Sequence, residues 1–579
     1  MVSTAGRFVL VFNGEIYNHL DLRAELSGSG TTWRGHSDTE TLLASIERWG
    51  VRATLERAVG MFALALWDRH DRSLTLARDR LGEKPLHYGW HAGRLLFASE
   101  LKAVRAHPGH RPALDRTSVA AYLRHGYVPA PATIYLGIRK VPPGTFVTWA
   151  AADLERMAVP APTSYWSLLD AARAGAADPF EGNDEDAIDN LEALLSRAIE
   201  LQRVADVPLG AFLSGGIDSS AVVALMQAHA QRPVRTFTIG FEEAAYDESH
   251  HARAVADHLG TDHTELRVTP VEAMAVIQDL PTLYDEPFGD SSAIPTYLVA
   301  GLARRHVTVA LSGDGGDELF AGYYRYQHAH RVWSGVQRLA PIGRRWAGSF
   351  AAAAERTLAW APGAGAGGRV LVRQRFGTLR AAVADTIAPL YKEHMSLWRE
   401  PERALQEPAG EQLSALTDGV WPLARRAVDH MTFTDAVSYL PDDILVKVDR
   451  AAMAVSLETR VPLLDHRVVE FAWRLPSRFK VRSGETKWLL RRVLERHVPR
   501  EIFERPKMGF GVPIDQWVRG PLRPWAEELL ASDRLRREGL FDPHAIRGRW
   551  HDHLTGKRDW QYSLWPVLVF QAWLEHERA

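Results

Sequence analysis

The sequence predicts a multidomain protein of mixed α/β and α+β class. A strand-rich amino-terminal unit precedes a doubly wound parallel-sheet domain with a helical carboxyl-terminal part. Three observations carry this. At 579 residues the chain exceeds one ordinary domain of roughly 150 residues several-fold. Apolar runs of strand length crowd its first 150 residues. From residue 184 onward strands and helices alternate, which implies right-handed crossovers, a parallel sheet, and ligand binding beyond the carboxyl ends of its strands.

In chain order, runs at 8–12, 61–67, 74–77 and 95–98 read as strands separated by turn-rich pieces, with one helix at 38–49 between them. Residues 150–183 are rich in Ala, Pro, Gly and acids, so the domains are expected at 1–160 and 184–579 with a linker at 161–183. Asn183 and Asp184 can cap a helix in which Ile188, Leu191, Leu194, Leu195, Ala198 and Ile199 recur at helical spacing. Strands are expected at 207–213, 234–240, 263–268 and 307–311, and helices at 219–230, 250–259, 271–280 and 293–303. Residues beyond about 325 read as mostly helical, with a Gly/Ala-rich loop at 361–368.

Composition excludes several function classes. Hydrophobic residues are 46% and charged residues 24%, enough apolar material for cores. Lys plus Arg is 69 against 71 Asp plus Glu, a formal charge of −2, so no global basic field exists to hold nucleic acid or an anionic membrane. No run is long and apolar enough to span a membrane or to form a signal-peptide core, and a cytoplasmic protein is expected. Cysteine is absent, which removes disulfides, zinc ribbons and thiol nucleophiles from the chain as written.

The expected strand at 207–213 runs through Ser214-Gly215-Gly216-Ile217-Asp218-Ser219-Ser220 directly into a helix. Glycines without Cβ atoms let phosphate approach backbone N–H groups, the serine hydroxyls add donors at a positive helix end, and Asp218 can hold Mg²⁺. A glycine turn capped by serines would account for any lone Ser-Gly-Gly, but its place between strand and helix favours a nucleotide loop. No Walker A sequence occurs. A second loop, Ser312-Gly313-Asp314-Gly315-Gly316-Asp317-Glu318, follows the expected strand at 307–311. If the two strands are neighbours, Asp218 and Asp317 face each other across a Mg²⁺–pyrophosphate site. A third stretch, 440–465, places many charges in an apolar helix-like setting, which predicts a buried, paired network; a purely structural salt-bridge net is the competing reading. Lys487 could reach pyrophosphate, though a lysine at a helix start is usually a surface residue.

The first loop resembles those of the PP-loop ATP pyrophosphatases. Together with Asp285-Glu286-Pro287-Phe288-Gly289-Asp290, the 440–465 stretch, Phe12-Asn13-Gly14-Glu15-Ile16-Tyr17-Asn18, Ser37-Asp38-Thr39-Glu40 and Ala77-Arg78-Asp79-Arg80-Leu81-Gly82-Glu83-Lys84-Pro85, it is similar to the glutamine-dependent asparagine synthetase family. The resemblance implies an N-terminal-nucleophile αββα-type sandwich joined to a PP-loop synthetase. Ammonia released in the first would reach an aspartyl-adenylate in the second. It implies ATP and Mg²⁺ as cofactors, aspartate and glutamine or ammonia as substrates, and leaves a homodimer open. On this chain it places glutamine at Asn13, Gly14, Glu15 and Asp38, and nucleotide at Leu213, Ile239, Ser312 and Gly313 beside Ser214, Gly215, Gly216, Ser219 and Ser220. Metal falls to Asp218 and Asp317, and chemistry to Asp314, Lys487, Asp218 and Asp317. Asp314 stands where many members carry Glu.

The family glutaminase requires a mature N-terminal cysteine, whose thiolate attacks the glutamine amide. Replacement by Ser3 or Thr4 is disfavoured, because both sit immediately before the first strand. The expectation is that Met1 is an internal methionine, that the sandwich is incomplete, and that it exposes an unpaired edge. Competing readings are a relative with another acyl acceptor (β-lactam- or peptide-cyclising, or polysaccharide-amidating), a non-catalytic nucleotide-binding regulator, and a tRNA-modifying PP-loop enzyme. The Gly-x-Gly-x-x-Gly match at 363–368 follows no strand and reads as a loop.

Overall fold

The computed structural model describes residues 1–578 apart from 29–30, 244–245, 359–375, 408, 413, 415, 417–425 and 506–508. The Gly/Ala-rich loop expected at 361–368 lies outside the described residues.

The amino-terminal unit holds strands β1 (Phe8–Ile16), β2 (Gly60–Asp68), β3 (Ser73–Arg78), β4 (His87–His91), β5 (Arg94–Ala98), β6 (Ile138–Lys140), β7 (Thr145–Trp149) and β8 (Thr163–Ser164). They form two sheets, in the orders β1-β2-β3-β7-β8 and β5-β4-β6, with antiparallel neighbours throughout. Strand alternation explains the stacking. Phe62, Leu64 and Leu66 of β2 pack with Leu42, Leu43 and Ile46 of helix Asp38–Trp49, while the intervening Ala63 and Ala65 join the cluster of Tyr88 and Trp149 between the sheets. Ser37 starts that helix by accepting a hydrogen bond from the Glu40 amide at 3.2 Å. β1 runs four residues beyond the apolar stretch at 8–12, paired with β2 from Phe8↔Asp68 to Ile16↔Gly60, so Asn13, Gly14 and Glu15 ride on a strand. Among the described residues β1 is the outermost strand of its sheet, bridged on its outer side by Val2 opposite Val9, with Val11 63% exposed. Ser3 is buried and accepts from the Phe8 amide at 3.2 Å, as part of the turn leading into β1.

The stretch expected as a linker is ordered. It contains β8 and helix Leu168–Ala177, whose Gly175 approaches the next domain so closely that a Cβ would lie 2.6 Å from the Trp473 carbonyl oxygen. Its small residues serve close helix packing; composition alone reads them as loop.

The second unit is built on β9 (Leu209–Phe212), β10 (Arg235–Phe241), β11 (Asp262–Val268), β12 (Val309–Leu311) and β13 (Glu458–Arg460), parallel in the order β11-β10-β9-β12-β13. Helix Asp184–Gln202 leads in through a capping box, with reciprocal 3.0 Å bonds between Asn183 and Asp186. The expected strands and crossover helices occur within a few residues of their predicted ends. β13 departs from the helix-like reading of 440–465: three residues become a strand by pairing with β12, a long-range event that local propensity does not reveal.

The two units share a core. Tyr122 donates to the Pro566 carbonyl at 2.8 Å, and Lys84 pairs with Asp449 at 2.8 Å. Arg450 reaches Glu100 and Asp285, each at 2.9 Å. Of the charges expected as a buried network at 440–465, Asp449 and Arg450 thus reach the amino-terminal unit, whereas Lys447 pairs with Asp290 and Arg460 with Glu458 inside the second. The 77–85 motif supports them: the Asp79 carboxylate accepts from the amides of Gly82, Glu83 and Lys84 at 2.7, 2.9 and 2.9 Å, shaping the loop that delivers Lys84. Among the described residues no helix is long and apolar enough to cross a membrane.

Candidate active site at the junction of strands β9 and β12

The sheet order reverses between β9 and β12, where an open parallel sheet has its ligand crevice. Both Gly-rich loops leave the carboxyl ends of these strands, so the condition set by the sequence, neighbouring strands, is met. Their contact is close enough to require glycine. A Cβ on Gly313 would stand 2.6 Å from the Ser219 nitrogen, and one on Gly316 2.5 Å from Asp218 Cγ. Ser214 and Ser219 hydroxyls lie 3.0 Å apart, and the Gly216 amide donates to Ser214 Oγ at 3.3 Å, bracing the loop ahead of helix Ile217–Ala228. The second loop turns at Gly315, whose φ of +87° suits glycine.

Lys487 closes the arrangement. Its Nζ lies between the two carboxylates, bonded to Asp218 Oδ2 and 2.6 Å from Asp317 Oδ1, with its side chain only 5% exposed. Burial draws the ammonium pKa down, but the two carboxylates outweigh it and hold it above the ordinary lysine range. Lys487 takes the left-handed backbone conformation, φ +53°, at the start of helix Trp488–Glu495. Such strain costs on the order of 1–3 kcal/mol and persists where surroundings enforce it. Gly322 makes room, since a Cβ there would collide with both Lys487 and Asp317.

A cavity of about 1050 Å³ extends from these loops. Leu213, Ser214, Gly216, Asp218, Ser219, Ile239, Ser312, Gly313, Asp314, Asp317 and Lys487 line it, so most predicted synthetase-site residues converge there. Gly215 and Ser220 are off its wall. A Cβ on Gly215 would strike the backbone of His251 and Ala252, so that glycine permits helix packing. Ser220 is fully buried because successive helical residues point about 100° apart, and Ser219 takes the cavity side.

Beyond the loops lies a polar group that the sequence reading left without roles. Lys447 donates to Asp290 Oδ2 at 2.9 Å and Ser292 Oγ at 2.8 Å. Burial, then the Asp290 carboxylate, raises the Asp443 pKa well above its usual value. Burial also raises that of Asp314, against a bond from the Ser312 hydroxyl. Arg325, Tyr323, Tyr439 and Arg505 share the wall, as do His125, Gly126 and Tyr127 of the amino-terminal unit. Asp290, Asp443 and Lys447 stood inside quoted motifs, but only folding shows which of many charges face the cavity. Arg325 carried a signal in its position just past the second loop.

The predicted glutamine residues assemble at a separate place. Asp38 Oδ2 accepts from the Ile16 amide at 2.9 Å, and Asn13 Nδ2 donates to Ser99 Oγ at 3.0 Å. Gly14 is obligatory, since a Cβ would lie 2.1 Å from the Met61 carbonyl oxygen. Glu15 is pushed up to about 7 by burial and by the Glu458 and Asp38 carboxylates, against Arg460, whose guanidinium is 3.9 Å away on β13.

Comparison with known proteins adds family information. A model described as asparagine synthase matches residues 190–575, and one described as glutamine amidotransferase domain matches residues 1–166. A Mycobacterium tuberculosis protein provisionally named a glutamine-hydrolyzing asparagine synthetase is 35% identical, over 98% of this chain and 84% of its own length. Asparagine synthetase (glutamine-hydrolyzing) 1 of Bacillus subtilis is 29% identical over 97% and 85% of the two chains. Amidase chyE of Penicillium rubens is 26% identical over 93% and 82%.

Proposed function

The chain belongs to the asparagine synthase family, and from that premise we propose that it is an ATP-dependent, carbon–nitrogen bond-forming ligase that converts aspartate to asparagine. The observation that carries this is Lys487 set between Asp218 and Asp317 at the β9/β12 crevice. An aspartate side-chain oxygen attacks the α-phosphorus of ATP, and the bond to the β-phosphate oxygen breaks, sending its electron pair out with pyrophosphate. Ammonia then attacks the acyl carbon, the carbon–oxygen bond to AMP breaks, and the nitrogen loses a proton.

The residues divide this work. Backbone amides of the two loops and Lys487 receive the negative charge that gathers on the departing pyrophosphate. Leu213 and Ile239 form apolar wall for the nucleotide, with Ser214, Gly216, Ser219, Ser312 and Gly313 around its phosphates. Asp314, with its raised pKa, faces the acyl end and is suited to take the proton that ammonia sheds. The donor set fits Mg²⁺: Asp218 and Asp317, carboxylates from adjacent strand ends that also share Lys487, would supply hard oxygen ligands. When bound, Mg²⁺ supplies charge neutralisation at the phosphates through Asp218 and Asp317.

Asn13, Gly14, Glu15 and Asp38 are assigned to glutamine. The 579 residues carry no thiol to attack a glutamine amide, so this stretch by itself is read as taking ammonia from solution, and use of glutamine would require a cysteine supplied from outside it. The test supplies ATP, Mg²⁺ and aspartate with either ammonium or glutamine, and follows asparagine, AMP and pyrophosphate. Asparagine from ammonium alone is expected. A folded protein that makes none from either source refutes the reading, and asparagine from glutamine refutes the assignment of nitrogen source.

A further inference from the structure

Arg325 stands in the first turn of helix Tyr324–Gln337 and lines the cavity. Its guanidinium lies 3.6 Å over the Tyr323 ring and 4.9 Å from the Tyr439 ring centroid. Nη2 donates to Asp435 Oδ2 at 2.7 Å, and Nε donates to the Tyr391 hydroxyl at 3.1 Å. The same Asp435 oxygen accepts from Tyr326 and Tyr391, both at 2.6 Å, so the counter-ion is itself clamped. Asp435 is 1% exposed and absent from the cavity wall, whereas Arg325 is 23% exposed and part of it. The protein therefore fixes the anion behind and presents the cation in front, and Nη1 has no hydrogen-bond partner among the described residues.

The other cavity cations are committed elsewhere. Lys487 bridges the phosphate-loop carboxylates, Arg505 pairs with Glu248 at 2.6 Å, Arg491 pairs with Glu504 at 2.8 Å, and Lys447 pairs with Asp290. Arg325 also lies near enough to Asp443 to oppose the upward push on that carboxyl, which places it beside the Asp290–Lys447 group. A planar guanidinium held by stacking and two bonds is a rigid fork for a carboxylate.

We propose that Arg325 holds a second carboxylate of the acyl substrate, adjacent to the one that is adenylated, and so makes a free neighbouring carboxylate the specificity requirement of this site. The substrate class is then an amino dicarboxylic acid, with Asp290 and Asp443 near its ammonium. Peptides or sugars in which the second carboxylate is absent or blocked are excluded. This inference rests on the ligase reading above and adds the residue that selects its acyl substrate.

The test is ATP–pyrophosphate exchange by the full chain with L-aspartate, its α-amide and β-alanine, which keep the reacting carboxylate and the amine but lose the second carboxylate. Wild-type kcat/KM is expected to be about 10- to 100-fold higher for aspartate, the range of one charge-assisted hydrogen bond. Arg325→Gln should erase that preference mainly by raising KM for aspartate, leaving KM for ATP unchanged. Arg325→Lys should fall between. Thermal melting accompanies each variant, and if Arg325→Gln does not fold, the wild-type comparison of aspartate with its α-amide decides. Equal use of the two by the wild type overturns the inference and leaves asparagine synthesis standing. A preferred acid other than aspartate that bears a neighbouring carboxylate and needs Arg325 does the reverse. A preferred acid without that carboxylate, or no exchange with any acid, overturns both.

Discussion

Gly313 offers a test of the two-loop geometry with a single methyl group. In Gly313→Ala the new Cβ would stand 2.6 Å from the Ser219 nitrogen, 2.8 Å from the Asp218 carbonyl carbon and 3.0 Å from the Ser219 Cα. These atoms are backbone at the start of helix Ile217–Ala228, so no flexible side-chain end can yield. Reaching an ordinary contact of 3.4 Å from 2.6 Å requires the loops to part by 0.8 Å. A shift near 1 Å between reacting groups costs about 10²-fold in rate, or about 2.7 kcal/mol in the barrier. The assay is pyrophosphate exchange with aspartate, run beside thermal melting. The control is Gly301→Ala, on helix Ala293–Arg304, where an added Cβ meets nothing within 4 Å. Alanine there should leave activity unchanged and stabilise by about 0.5–1 kcal/mol through helix propensity. A Gly313→Ala protein that keeps more than about a third of its activity, against the expected 10²-fold loss, would refute the proposed apposition. So would a Gly301→Ala protein that loses as much.

Three further outcomes follow from particular contacts. Lys487→Gln leaves two partly buried carboxylates, each 17% exposed, without their shared cation; breaking a fully buried pair costs about 3–5 kcal/mol and this one less, so the denaturant midpoint should drop and exchange should fall. Adding Asp218→Asn should restore stability but not exchange, and an unchanged midpoint in the single variant would contradict the bridge. Glu15 has a folded pKa of about 7 against 4.5 unfolded, so between these values the folded state binds the extra proton and stability falls as pH rises. Glu15→Gln should flatten that slope and stabilise at pH 8 by about 1 kcal/mol, a figure reduced for solvent screening because the side chain is 39% exposed; unfolding midpoints at pH 5 and pH 8 measure it. Lys84→Met strands Asp449 in a pair whose side chains are 5% and 9% exposed, and should cost about 3–5 kcal/mol. Most of that loss should return in the Lys84→Met/Asp449→Leu double variant, which a double-mutant cycle can read.

Much of the architecture was legible because it is written in local pattern. An apolar run of strand length marked β2, the Asn183 cap and helical spacing marked Asp184–Gln202, and each Gly-rich loop announced itself by following an apolar strand. The helix inside the stretch at 161–183 was not legible, because alanine and glycine serve loops and close helix contacts alike, and Gly175 is of the second kind. β13 was hidden for a related reason: its three residues form a strand only against β12. In the site, Ser219 and Ser220 look equivalent in sequence, yet helix phase sends one to the cavity and buries the other.

The sequence by itself determined the class of chemistry, since strand–glycine–helix junctions with acids at set positions and a chain without cysteine are facts of order and composition. Tertiary structure alone decided which charges act together. Lys487 lies 269 residues from Asp218, Lys84 lies 365 from Asp449, and Arg325 lies 110 from Asp435. No local rule joins residues so far apart, because their partnership arises when sheet order and a shared core carry distant segments into one low-dielectric space.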